Sequence, residues 1–148
     1  MSRRQTMPQQ WLIIADEPDW QAIRRLPRAS GVLLLHLPCP ADLRRLRNIG
    51  RMRSLMIVTE GPAVAARVHD VRELRRALLR RPALILLSPI HRTRTHPDWM
   101  PLPRMRAAAL ARLAGRRAVA LGGMNHRRYA KIAPLGFIAW AGISAFRT

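Results

Sequence analysis

The chain has 148 residues, enough for one domain with a substantial core, and 49% of them are apolar, which excludes a disordered chain. Its single cysteine, Cys39, excludes an internal disulfide and any zinc site built from several cysteines. A net charge of +19, with Lys131 the one lysine among 27 basic residues and no acid after Asp98, points to anionic ligands, although arginines spread over many helices equally suit solvated faces.

In chain order, Met1 to Gln10 is polar and reads as a flexible lead-in. No apolar stretch and small-residue cleavage site follow it, so a secretion signal is not expected and the cytoplasm is the default. Trp11 to Ala15 is an apolar run of strand length. Asp19 is placed to cap a helix with Trp20, Ile23 and Leu26 on one face, and Val32 to Leu35 is a second buried strand ending at His36. Ala41 to Ile49 predicts a helix with Leu43, Leu46 and Ile49 inside and Arg44, Arg45 and Arg47 outside, stopped at Gly50. Ser54 to Thr59 is a third strand. After the Gly61-Pro62 turn, Ala63 to Val68 fits either a turn of helix or a weak strand.

Asp70 caps a helix through Val71, Leu74, Ala77 and Leu78, and Leu84 to Leu87 is a strand. A long loop rich in Pro, His, Arg and Thr follows. Arg104 to Ala114 is helical, with Met105, Ala108, Leu110 and Leu113 available to pack. Ala118 to Leu121 is a strand, Asn125 caps a helix to Ala133 that Gly136 ends, and Phe137 to Trp140 is the last strand. The apolar runs are too short, and too often broken by arginine, to span a membrane.

Continuous apolar strands alternating with amphipathic helices predict parallel βα units in a single domain over residues 11–148. A doubly wound sheet and a (β/α) barrel both fit, and both gather ligands at the C-terminal ends of their strands. The candidates there are Asp16, His36, Glu60, His69, Asp70, Ser88, Thr93, Thr95, His96, Gly122, Gly123, Asn125, Gly142 and Ser144. Gly122-Gly123 lets backbone approach a ligand, and Gly142-Ile143-Ser144 repeats the arrangement after the next strand. Two such turns on consecutive last strands match the phosphate site of (β/α) barrels. Thr93-Arg94-Thr95-His96 adds hydroxyls and cations from a long loop. There is no zinc-ligand spacing, Walker loop or Gly-x-Ser-x-Gly motif.

Three blocks carry a family resemblance: Ser88-Pro89-Ile90-His91-Arg92-Thr93-Arg94-Thr95-His96-Pro97, Ala120-Leu121-Gly122-Gly123-Met124-Asn125, and Trp140-Ala141-Gly142-Ile143-Ser144-Ala145-Phe146. With Val68-His69-Asp70-Val71-Arg72-Glu73-Leu74, they resemble the thiamine phosphate synthase/TenI family, in its short, Arg-rich bacterial branch. The resemblance implies a TIM barrel of the (β/α) type. It also implies a transferase of vitamin B1 synthesis that joins hydroxymethylpyrimidine diphosphate to thiazole phosphate, with Mg²⁺ and release of pyrophosphate. By the same resemblance, Thr93 and Thr95 contact phosphates, and His96 stands where longer relatives carry a lysine. Gly122, Gly123, Ile143 and Ser144 hold the thiazole phosphate, Glu60 takes the place of a metal-binding Asp, and His69 matches the histidine that TenI, a thiazole tautomerase, is thought to use in proton transfer.

The chain departs from the family pattern upstream. His36-Leu37-Pro38 stands where the family has Gln-x-Arg-x-Lys, and Thr59 to His69 is too short for two strands and a helix. Six strands are secure and Ala65–Val68 is a seventh candidate, so the barrel is expected to be incomplete or to close with fewer than eight strands. An open edge would need covering, by loops or by a homodimer. Three functions remain: the synthase, a TenI-like tautomerase, and a non-catalytic binder of a phosphorylated thiazole-type metabolite. The expected partners are thus phosphorylated thiazole and pyrimidine small molecules. Nucleic acid is disfavoured, because no recognition motif accompanies the charge.

Overall fold

The computed structural model describes residues 6–146. Seven short strands alternate with five helices: β1 (Gln10–Ile14), α1 (Trp20–Arg25), β2 (Gly31–Leu34), α2 (Pro40–Arg53), β3 (Met56–Thr59), β4 (Ala65–Val68), α3 (Val71–Leu79), β5 (Leu84–Leu87), α4 (Arg104–Ala114), β6 (Ala118–Leu121), α5 (His126–Ile132) and β7 (Ala139–Gly142). All sheet pairs are parallel, and the spatial order is β3-β2-β1-β7-β6-β5-β4. The last strand lies beside the first, and neighbours follow one another in sequence. That is the cyclic order of a (β/α) barrel cut between β3 and β4, not the order of a doubly wound sheet. The result is a curled half-barrel.

The cut falls where the sequence is short. Only residues 60–64 connect β3 to β4, and Gly61 O accepts from the N–H groups of Val64 and Ala65 to form a tight turn. Ala65–Val68 is a strand because its backbone pairs with Leu84–Leu87, which overrides its weak local preference. Across the connection Arg67 Nε donates to Glu60 Oε1 at 2.9 Å.

Strand side chains alternate between two faces and sort the core into three clusters. Trp11, Ile13, Leu33, Leu84, Leu86, Val119 and Ala139 meet on the inner face. Leu12, Ile14, Val32 and Leu34 face outward onto Ile23, Leu26 and Leu46 of the first two helical segments. Ile85, Leu87, Ala118 and Trp140 face outward onto Leu74, Leu110, Ala111 and Ile132. Burial on both faces explains why the strands read as unbroken apolar runs. Trp11 lies opposite Gly31 in the β1–β2 register, and a Cβ at Gly31 would fall 2.1 Å from its ring. The indole therefore lies against bare backbone, and its Nε1 donates to Pro8 O at 3.0 Å. Pro8 is buried and Trp140 N donates to Gln9 O, so residues 8–10 join the sheet; residues 1–5 of the expected lead-in lie outside the described residues.

Asp19, Asp70 and Asn125 cap their helices as expected, each accepting from a backbone N–H at 2.8–3.0 Å. Three other expectations are corrected. Helix α2 runs through Gly50 to Arg53 and ends at Ser54, in the left-handed region (φ 56°). Gly50 is there for packing: a Cβ would meet Ile57 Cδ1 at 2.7 Å. Met105 and Leu113 face solvent, because Ala107, Leu110, Ala111 and Ala114 form the buried face of α4. The last strand starts two residues later than expected, at Ala139, where pairing to both β6 and β1 is established. Among the described residues, no helix is long and apolar enough to cross a membrane.

Candidate functional site

The C-terminal ends of β4, β5, β6 and β7 are neighbours in the sheet, and the loops leaving them surround a cavity of about 660 Å³. His69 comes from β4, Ser88 and the loop Arg92–Trp99 from β5, Gly122 to Arg128 from β6, and Gly142 to Ala145 from β7. The expected phosphate residues Thr93, Thr95, Gly122, Gly123, Ile143 and Ser144 all line it, together with His69 and His96. Asp16, His36, Glu60 and Asp70 do not. Asp16, His36 and Glu60 follow β1, β2 and β3, Asp70 is taken up by the α3 cap beside His69, and Glu60 lines a neighbouring groove with Arg76 and Arg80.

The glycine pair is fixed by packing. Ile90 N donates to Leu121 O and His91 N to Gly122 O, at 2.9 and 3.0 Å, which lays the start of the β5 loop directly on the β6 turn. At Gly122 (φ +105°) a Cβ would fall 2.9 Å from Pro89 Cα; at Gly123 (φ +60°) it would fall 2.8 Å from Arg92 O. No side chain fits either position, and both conformations favour glycine. Two parts of the loop thus hold each other in place. Thr93 Oγ1 accepts from His96 N at 3.0 Å, and the His96 ring stacks on Trp99 at 4.1 Å with the planes 9° apart. Trp99 in turn presents its ring to His69 at 5.2 Å in a T-shaped contact.

The cavity is cationic. Arg67, Arg92, Arg94 and Arg128 line it, and Arg128 Nη1 also donates to Gly123 O. Beside it, burial first and then the charges of Arg128 and Lys131 hold the His91 imidazole below its ordinary range. His69 is held on the other wall: Glu73 Oε2 lies 2.9 Å from its Nδ1 and accepts from its backbone N–H at 2.7 Å. Sequence reasoning assigned no site role to Trp99, Arg128 or Glu73. Glu73 at +4 from His69 on a helix start was the available signal. Trp99 had none, because a loop ring acquires a partner only when the loop folds.

A metal centre does not fit these residues. No group of three or more His, Cys, Asp or Glu able to hold an ion occurs among the described residues, and the Glu60 carboxylate is engaged by Arg67 Nε and Nη2. A Mg²⁺ held through Glu60 would have to displace that guanidinium and take its other oxygen donors from water or substrate phosphate.

Among solved structures the chain is similar to a thiamine phosphate pyrophosphorylase from Pyrococcus furiosus, with a TM-score of 0.71 and 14% identity over 95% of this chain and 88% of that one. It is also similar to the thiamine phosphate pyrophosphorylase from Bacteroides thetaiotaomicron, with a TM-score of 0.57 and 15% identity over 94% of this chain and 84% of that one. The fold is theirs. No protein-family model matches the sequence, and no curated protein is similar to it by sequence.

Proposed function

We propose that this chain is a thiamine phosphate synthase-like protein of thiamine biosynthesis, and that the cavity at the ends of β4–β7 binds a phosphorylated thiazole-type metabolite. The observation that carries the reading is the cavity itself: four arginines, two threonine hydroxyls, Ser144 and the Gly122-Gly123 turn face one space on this fold. In the synthase reaction, the C–O bond between pyrimidine methylene and diphosphate breaks, and the thiazole nitrogen lone pair forms the new C–N bond. Pyrophosphate leaves with the bonding electrons. Such a step needs charge neutralisation at the leaving group above all, and Arg92, Arg94 and Arg128, with Thr93 and Thr95, supply it here without a protein-held metal.

A second reading is a TenI-like thiazole tautomerase, favoured by one observation: His69 lines the same cavity with its ring oriented by Glu73. A binder without catalysis is the third. Incubation with hydroxymethylpyrimidine diphosphate and thiazole phosphate, with and without Mg²⁺, separates the synthase from the other two. Thiamine phosphate forming above background supports the synthase, and its absence at high protein concentration removes that reading. Saturable binding of thiazole phosphate, but not of the dephosphorylated thiazole, supports the phosphate site. Equal affinity for the two would remove it.

A further inference from the structure

Within the reading that the cavity holds a phosphorylated ligand next to His69, one residue outside the cavity lining acquires a role. Helix α3 starts at Val71 with Asp70 as its cap, whose side chain accepts from the Glu73 N–H, and the Glu73 side chain turns back toward the strand end. There Glu73 Oε2 makes two bonds to one residue, accepting the His69 backbone N–H at 2.7 Å and meeting the ring Nδ1 at 2.9 Å. A carboxylate is acceptor only, so Nδ1 must carry a proton to bond to it. In the neutral imidazole the lone pair then sits on Nε2, the nitrogen that makes no hydrogen bond to protein among the described residues. The Trp99 ring packs edge-on against the same imidazole and limits its rotation.

We infer that Glu73 is a positioning residue that locks His69 in the Nδ1–H tautomer, leaving Nε2 as the single ring atom able to exchange a proton with a ligand in the cavity. A histidine without such a partner favours the opposite tautomer, with its proton on Nε2, and would present a donor where the site offers an acceptor. When Nε2 takes a proton, the resulting imidazolium keeps its Nδ1–H bond to the carboxylate, and the proton leaves by the same nitrogen.

The test is ¹⁵N-resolved NMR of the histidine rings in the full chain, with no ligand, at about pH 9, where imidazole is neutral. The His69 signals are assigned by their loss in His69→Gln. Wild type is expected to show Nδ1–H, Glu73→Ala to revert toward Nε2–H, and Glu73→Gln, whose amide oxygen still accepts, to keep Nδ1–H. Nε2–H in wild type overturns the inference and needs no variant. The same tautomer population in wild type and a folded Glu73→Ala also overturns it. Because the tautomer is read without ligand, it stands or falls apart from the phosphate site, which fails if thiazole phosphate does not bind or binds no better than the dephosphorylated thiazole.

Discussion

The two halves of the curled sheet are both built of short parallel strands packed on helices, yet their strand ends differ in chemistry. The loops after β1, β2 and β3 carry Asp16, Glu17, His36 and Glu60, and none of these lines the cavity. The loops after β4 to β7 carry arginines, hydroxyls and the positive-φ pair Gly122-Gly123, and they do. Burial fixes the strands and says nothing about their ends; the ends are free to be built for function on one side and left plain on the other. The cut between β3 and β4 marks the boundary. The half that precedes it contributes no residue to this lining and is joined to the other through the inner-face cluster of Trp11, Ile13, Leu33, Leu86 and Val119.

The comparison breaks most easily in that shared cluster. Leu33→Ala in one half and Leu86→Ala in the other should each cost about 3 kcal/mol, and urea unfolding should remain a single transition in both. Two separate transitions would show the halves to be independent.

The next largest effects separate stability from binding. Gly31→Ala forces a methyl against the Trp11 ring and Gly122→Ala forces one against Pro89, so each should cost about 2 kcal/mol. Thiazole phosphate titrated onto the folded protein should bind Gly31→Ala as it binds wild type, and Gly122→Ala markedly less well. Charge gives a cleaner contrast. Arg92→Met should weaken that binding about tenfold, the loss of one charge-assisted hydrogen bond, while Arg44→Met on α2 should leave it unchanged. Calorimetry at fixed salt reads both.

A smaller effect concerns the seam. The Glu60–Arg67 pair is partly exposed, so a double-mutant cycle with Glu60→Gln and Arg67→Met should give a coupling of about 0.5 kcal/mol. A value several times larger would mean the pair clamps the open barrel. The smallest effect is acid-dependent. The His91 imidazole is held below its ordinary range by burial and by Arg128 and Lys131, so on acidification the unfolded chain takes up that proton first. Its stabilising contribution is complete above about pH 6.5 and declines as pH falls toward the lowered native value. His91→Gln should flatten that part of the stability–pH curve, and Arg128→Met should shift it.

Much of the local structure could be read in the residues. Asp19, Asp70 and Asn125 marked helix starts because a short acceptor side chain before an apolar stripe has one good use. The β4 strand could be read only as a candidate, and the role of Gly50 could not be read. Ala65–Val68 becomes a strand only beside Leu84–Leu87, and Gly50 is explained only by Ile57 against it. The site divides in the same way. Thr93, Thr95, Gly122, Gly123, Ile143 and Ser144 follow or precede apolar runs, so a parallel architecture alone brings them to one end.

The sequence by itself thus determined the alternation of elements, the burial of the strands on both faces and the end of the sheet where polar groups collect, because these follow from periodicity and local hydrogen bonding. Tertiary structure alone decided that the sheet stays open at the shortened connection between β3 and β4, that Glu60 faces Arg67 across it, and that Trp99 flanks His69. Those are contacts between groups whose spacing along the chain carries no period, and only the folded path sets their distance.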